Sequence, residues 1–310
     1  MSDAPIFALV GATATGKTDL GEELAERLDA EIVCLDSRQV FRDLDAGTGK
    51  PDAATRAARP HHLFDALTID ERPSAGWYAR AAAPVIEAIR ARGKRPLLVG
   101  GAGLYLRALQ EGLAEEAPVD PAVREALRRE HAGLPVEELH ARLAARDPDA
   151  AAQLRPRDRQ RLSRALEVIA VTGGTLGDWQ ARGATPAVTG EWRIVEMRVA
   201  AAELARRIAA RTTWMFDHGL LEETRALLDA GREEPLRRLR AVGYDEALAV
   251  LAGTMTRADA ERRTNERTRQ LAKRQRTWFR HQVEAIAIDG TDAMVVARAG
   301  EAFTVRSDFR

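Results

Sequence analysis

Residues 11–18 read Gly-Ala-Thr-Ala-Thr-Gly-Lys-Thr, a full match to Gly-x-x-x-x-Gly-Lys-Thr. Gly11 and Gly16 permit a tight loop through Ala12, Thr13, Ala14 and Thr15 whose backbone N–H groups converge on one anion. A helix beginning near Gly16 adds its free N–H groups and positive end. Lys17 offers a mobile point charge to an outer phosphate, and Thr18 offers a hydroxyl to Mg²⁺. This chemistry is phosphate binding. It does not specify ATP, because a diphosphate ester fits the same cradle. A kinase loop stabilises a moving phosphoryl group. In an alkyl transferase the carbon–oxygen bond breaks, and the loop stabilises diphosphate as a leaving group.

Asp36 is the second anchor, in Leu-Asp-Ser-Arg-Gln-Val-Phe at 35–41. At the end of a strand beside the loop, its carboxylate can accept a proton from a nucleophile or hold a metal-bound water. The alternative role is a cap on the following turn. Ser37 and Gln39 are polar neighbours able to bond to a base.

These groups need strands to carry them. Residues 6–10 read as a buried strand that enters the glycine loop, and 19–28 as the helix leaving it. Residues 31–35 form a second strand that delivers Asp36, and 95–99 a third that stops at Gly-Gly-Ala-Gly. Residues 41–60 have the Gly and Pro density of a loop, and 77–92 are helical. The alternation predicts an α/β fold, a three-layer core like that of P-loop nucleoside-triphosphate hydrolases with a parallel sheet. Ligands then belong at the C-terminal strand ends. Residues 120–171 are helical and charged, and the glycines at 173, 174, 177 and 183–190 predict a mobile loop. Residues 191–199 return to the sheet, 204–228, 245–251 and 257–284 are helical, and 285–289 form a last edge strand. The expected organisation is a core in two parts, 1–115 and 191–310, around an inserted helical domain at 116–190.

The 47 basic and 47 acidic residues balance, so any nucleic-acid affinity must come from local clusters. Arg155, Arg157, Arg159, Arg161 and Arg164 crowd one segment. Arg262, Arg263, Arg267, Arg269, Lys273, Arg274, Arg276 and Arg280 crowd another, around Trp278 and Phe279, with Glu266 the one acid inside it. The second cluster points to RNA more than to a solvated helix face. Cys34 is the sole cysteine, which excludes an intrachain disulfide and a cysteine zinc cluster. No signal segment or membrane-length apolar run occurs, so a soluble cytoplasmic protein is expected, and a monomer is the default for its oligomeric state. His61 and His62 lack metal-ligand spacing and read as packing or loop hydrogen-bonding residues, and Trp214, Met215 and Phe216 read as core.

Taken in order, GATATGKT, LDSRQVF, DAGTGKP at 45–51, HHL at 61–63, LLVGGAGLYL at 97–106, QRLSRALEV at 160–168, VGY at 242–244 and TRQLAKRQRTWFR at 268–280 resemble the bacterial tRNA dimethylallyltransferase family, also called IPP transferases. The resemblance implies an Mg²⁺-dependent enzyme that moves a dimethylallyl group from dimethylallyl diphosphate to N6 of adenosine 37, in tRNAs reading codons that begin with U. It implies that Asp36 is the general base and that Lys17 and Thr18 contact diphosphate and metal. Thr13 would lie over the diphosphate, with Arg211 on the leaving group and Arg207 one turn away. It implies tRNA contacts from Asp36, Ser37, Arg38, Gln39, Ala102, Arg124, Gln160, Arg161, Leu162, Ser163 and Arg164, besides those expected of Lys273, Arg274, Arg276 and Arg280. One departure stands out: Ala102 replaces the family's threonine and lacks its hydroxyl. Two other classes use the same loop, a small-molecule ATP kinase and a nucleotide-gated RNA-binding protein without chemistry.

Overall fold

The computed structural model describes residues 4–113, 121–181 and 185–304. They fall into two compact units, Met1–Leu109 with Val188–Arg310, and Gln110–Ala187.

In the first unit, β1 (Ile6–Gly11) leads through the glycine loop to α1 (Lys17–Arg27), then β2 (Ala30–Leu35), α2 (Ala53–Ala58) and β3 (His61–His62). Then follow α3 (Ala75–Ala91), β4 (Arg95–Gly100) and α4 (Gly103–Gln110). All strand pairs are parallel, in the order β3-β2-β4-β1-β5-β6, where β5 is Trp192–Arg198 and β6 is Ile286–Asp289. Every residue of β1 and β2 is buried, because a central parallel strand is covered on both faces. Alternate residues therefore feed two cores. Ile6, Ala8 and Val10 join Tyr78, Ile86 and Leu106 on one face. Phe7 and Leu9 join Leu20 and Leu24 of α1 and Phe303 on the other.

From β1 the chain moves to β2 on one side and later returns to the other side as β5. The crevice this opens beyond the strand ends is where α/β folds bind ligands. The glycine loop, Asp36 and Gly100–Gly103 converge there. Gly16 caps α1 with φ 94°, a left-handed conformation that favours glycine.

Five helices intervene before or after the last strands: α10 (Ala201–Asp217), α11 (Leu220–Asp229), α12 (Glu233–Leu239), α13 (Tyr244–Leu251) and α14 (Arg257–Gln282). Met215, Phe216, Leu220 and Tyr244 pack with Val40, Phe41 and Leu44 into a third core. The single helix expected at 204–228 is broken at Gly219, φ 103°, so α11 turns back. The expected loop at 41–60 contains α2, capped by the Asp52 side chain. α15 (Val295–Thr304), which the sequence analysis leaves unassigned, covers the α1 face through Ala299 and Phe303.

The second unit consists of α5 (Pro121–Gly133), α6 (Val136–Arg146), α7 (Pro148–Gln153), α8 (Arg159–Thr172) and α9 (Leu176–Ala181). Leu139, Leu143, Leu162 and Leu166 form its core. α9 occupies part of the expected mobile loop and includes Gly177. Thr175 and Asp178 exchange hydrogen bonds there, Thr175 N–H to Asp178 Oδ2 at 3.1 Å and Asp178 N–H to Thr175 Oγ1 at 3.0 Å, a reciprocal cap that starts the helix. Gly183 lies outside the described residues.

Candidate active site

A cavity of about 1240 Å³ opens over the glycine loop, lined by Thr13, Ala14, Gly16, Lys17, Thr18, Asp36, Gln39, Thr48, Gly49, Arg207, Arg211, Trp214 and Gln275 among others. A smaller one of about 280 Å³ is lined by Ser37, Arg38, Ala102, Val242, Tyr244 and Arg274 among others. Thr13, Asp36, Thr48, Gly101, Arg211 and Gln275 line both. The two cavities thus share a wall that carries one carboxylate and one guanidinium.

Lys17 is buried, and its Nζ donates to the Ala12 carbonyl at 2.6 Å. Burial pulls its pKa down to about 8; Asp36 pushes it up and Arg211 lowers it further. Thr15 is buried too, its hydroxyl donating to the Ala12 carbonyl at 2.9 Å. Thr18 sits on the first turn of α1 and lines the cavity, and its hydroxyl makes no protein hydrogen bond among the described residues.

Asp36 Oδ1 accepts from Arg38 N–H at 2.7 Å and from Gln39 N–H at 3.4 Å. One oxygen thus stabilises the turn, as the capping alternative requires. Oδ2 has no such partner among the described residues. The turn holds the carboxylate still and leaves the second oxygen to chemistry. The capping and base roles are therefore compatible in one side chain.

Arg207 and Arg211 lie one turn apart on α10, on the face that lines the large cavity. Arg207 is engaged: it pairs with Glu203 at 2.7 Å and donates to the carbonyls of Thr15 at 2.8 Å and Gly290 at 3.4 Å. Arg211 makes one long hydrogen bond, to Thr13 Oγ1 at 3.4 Å. Burial lowers its pKa while Asp36 and Tyr244 raise it, yet a guanidinium stays charged. Arg211 therefore has donors to spare for an anion, and Arg207 mainly buttresses the loop.

The segment 45–50 is pinned from three sides. Glu223 accepts from Asp45 N–H at 3.1 Å, from Ala46 N–H at 2.9 Å and from the Tyr244 hydroxyl. Gly47 N–H donates to the Tyr244 hydroxyl at 3.1 Å. The Lys50 side chain, fully buried, donates to the Phe41 carbonyl at 2.7 Å and pairs with Asp65 at 2.6 Å and Asp45 at 2.5 Å. Gln39 Nε2 donates to the carbonyls of Thr48 at 3.2 Å and Gly49 at 3.0 Å. This fixes the wall opposite the glycine loop.

The basic cluster of α14 divides in two. Arg262 pairs with Asp259, Arg263 with Glu246, and Arg267 with Asp245 and Glu246. Three of these four bonds reach acids of α13, so part of this positive charge is balanced within the protein. Lys273, Arg274 and Arg280 are exposed and Arg276 is half-buried, and these four have no ion-pair partner among the described residues. Arg38 is turned inward, donating to the Leu239 carbonyl at 2.7 Å, and burial lowers its pKa.

In the second unit, Gln160 and Arg161 are exposed on the first turn of α8, and Arg161 lies 3.5 Å from Asp158. Arg164 pairs with Glu167 at 3.3 Å, Ser163 bonds to His131 at 2.8 Å, and Leu162 is buried in the core. Arg124 is half-buried on α5. Arg159 is committed to the carbonyls of His131 and Leu134, at 2.7 Å each.

Trp214 corrects its expected core role: it is 52% exposed at the large cavity, stacked on His218, while Met215 and Phe216 are buried. α10 places Trp214 on the face of Arg207 and Arg211, and its neighbours face inward. His61 and His62 hydrogen-bond to Glu22 and Glu31, both at 2.6 Å, at the sheet edge.

No group of three or more metal-ligating side chains occurs among the described residues. The donor set still suits Mg²⁺. That ion keeps several waters and takes one or two protein ligands plus phosphate oxygens, and the Thr18 hydroxyl supplies such a ligand. Sequence reasoning missed Gln275, Thr48 and Tyr244 as site residues. Gln275 is hidden among arginines, and nothing local marks it.

No helix among the described residues is long and apolar enough to cross a membrane. Models for IPP transferase and isopentenyl transferase match residues 39–282 and 4–63 respectively. The tRNA dimethylallyltransferase of Halorhodospira halophila is 44% identical over 293 residues, covering 94% of each chain. Another tRNA dimethylallyltransferase, of Nocardia farcinica, is 42% identical over 295 residues, covering 94% of this chain and 93% of that one. The crystal structure of tRNA isopentenylpyrophosphate transferase from Bacillus halodurans superposes with a TM-score of 0.68 at 32% identity, covering 96% and 94% of the two chains. These matches leave no place for the kinase or the non-catalytic RNA-binding reading, and they account for a glycine loop and a strand-end carboxylate in one crevice: the chain belongs to the IPP transferase family.

Proposed function

We propose that this chain transfers a dimethylallyl group from dimethylallyl diphosphate to N6 of adenosine 37 in tRNAs that read codons beginning with U, acting as a cytoplasmic monomer. The observation that carries the reading is the shared wall. Asp36 and Arg211 stand between a cavity with a diphosphate cradle and a second cavity with room for a base.

Adenine N6 is a weak nucleophile because its lone pair is delocalised. The allylic carbon compensates by spreading positive charge over its double bond. The N6–C1 bond forms as the C1–O bond breaks, and the electron pair leaves on diphosphate. Loop N–H groups, Lys17 and Arg211 stabilise that charge. Asp36 Oδ2 takes the N6 proton. Thr18 would hold Mg²⁺ against the phosphates, and the ion would neutralise leaving-group charge. The adenosine must leave its stack to reach Asp36.

The direct test supplies radiolabelled dimethylallyl diphosphate and tRNA lacking the modification. Label in tRNA is the expected result. ATP consumption without label would overturn the reading.

Lys17 makes donor binding pH-dependent. The free ammonium loses its proton as pH rises through about 8, so binding an anion above that must first recover one. The donor's last phosphate ionisation lies at roughly pH 6, so its own charge is constant there. Its dissociation constant, by calorimetry without tRNA, should rise toward tenfold per pH unit above about pH 8. Lys17→Arg should flatten the curve; a flat wild-type curve would refute a Lys17 ammonium that titrates near pH 8 and is coupled to donor binding.

The unpaired end of α14 should contact RNA phosphate. Each contact to a single strand releases about 0.7 counterion, so Arg274→Ala with Arg276→Ala should lower the log–log salt slope of tRNA binding by roughly 1.4. The KM for the donor should hold. An unchanged slope and affinity would exclude these residues from the interface.

Ala102 lines the smaller cavity, and its N–H donates to the Leu35 carbonyl at 3.0 Å. Ala102→Thr restores a hydroxyl there. One neutral hydrogen bond is worth about 0.5–1.5 kcal/mol, so single-turnover transfer should rise by up to about tenfold. A sharp fall would show a pocket shaped around alanine.

A further inference from the structure

The Gln275 amide makes two hydrogen bonds across the site. Oε1 accepts from Thr13 N–H of the glycine loop at 2.9 Å, and Nε2 donates to the Gly101 carbonyl at 3.1 Å. The two ends of the amide are not interchangeable, so its orientation is set. Gly101 leaves room for it: a Cβ there would sit 2.3 Å from Nε2. Gln275 lines both cavities. Ala272 and Phe279, three residues before it and four after, are buried and hold that face of α14 inward. Arg274 and Arg276 flank it with no acidic partner among the described residues.

We infer that Gln275 is a positioning residue that carries occupancy of the tRNA-binding helix to the diphosphate cradle. A shift of α14 moves the amide, and with it Thr13 and Gly101. Thr13 in turn bonds Arg211 through its hydroxyl. The path thus runs from Gln275 of α14 to Thr13 to Arg211 through two hydrogen bonds. tRNA bound at α14 then sets the cradle in its donor-binding form. By linkage, the donor must tighten tRNA by the same factor. This rests on the proposal that α14 contacts tRNA.

The experiment measures the affinity of the full chain for an unreactive thiolodiphosphate analogue of the donor, with and without a saturating anticodon stem-loop. The wild type should bind the analogue about fivefold or more tightly with the stem-loop present, within the usual range of coupling. Gln275→Met keeps the volume and removes both bonds. Gly101→Ala displaces the amide from the opposite side and leaves the sequence of α14 unchanged. Both variants should bring the ratio close to one, and Gln275→Met should bind the stem-loop within about twofold of wild type. With the analogue saturating, both variants should bind the stem-loop weaker than the wild type by the coupling factor they have lost.

Hydrogen exchange on the wild type needs no variant: stem-loop binding alone should slow exchange in residues 11–16. Two ligands that bind the wild type independently would overturn the inference while sparing the functional reading. So would coupling that survives in Gln275→Met, or unchanged exchange in the loop. A wild type that fails to bind the stem-loop at all would strike the functional reading itself.

Discussion

Asp36→Asn yields a folded protein that still binds both substrates and has lost prenyl transfer by roughly 10²–10⁴, the range for a positioned general base. The reason is local. Asn keeps an oxygen able to accept from Arg38 and Gln39 N–H, so the turn survives. The second position becomes an amide that cannot take a proton. The measurement is paired: single-turnover transfer, and tRNA affinity in the presence of an unreactive diphosphate. If Asp36 served only as a cap, the variant would lose about 0.5–2 kcal/mol of stability and keep its chemistry. A lowered melting temperature with near-normal transfer would refute the base assignment.

Arg211→Gln should cost roughly 10²–10³ in kcat, comparable to losing one preorganised donor at a site of developing charge. Arg211 is half-buried between Thr13 and Gly49 of the pinned 45–50 segment, where its charge is partly shielded from solvent. Its loss should appear in transfer more than in tRNA affinity. Arg207→Gln provides the contrast. That side chain is spent on Glu203 and the Thr15 carbonyl, so its loss should loosen the loop and raise the donor KM. Single-turnover rates over a range of donor concentrations separate the two. A larger kcat loss in Arg207→Gln than in Arg211→Gln would reverse the assignment.

Much of the core could be read from residues alone because its signals are local. A buried strand running into Gly-x-x-x-x-Gly-Lys-Thr dictates strand, loop and helix within about twenty residues. The parallel alternation follows from continuous apolar strands separated by helices. Asp36 was legible because it ends such a strand. Errors fell where punctuation was ambiguous. Gly219 reads as tolerable inside a helix, yet it adopts φ 103° and divides α10 from α11. Gly177 reads as a loop residue, yet the Thr175–Asp178 cap starts a helix through it.

What lay beyond the sequence was the company each residue keeps. Arg263 and Arg267 read as unpaired charges in the sequence, and α13 brings Glu246 against both. Arg207 and Arg211 are equivalent by spacing; the partners of each separate them. Trp214 and Met215 are adjacent apolar residues, and the rotation of α10 exposes one at the cavity and buries the other. Gln275 meets Thr13 from 262 residues away. A local motif specifies its own backbone because φ, ψ and short-range hydrogen bonds act within a few residues. Which side chains meet across the crevice depends on how whole helices pack, a sum over many contacts that no short stretch of sequence contains.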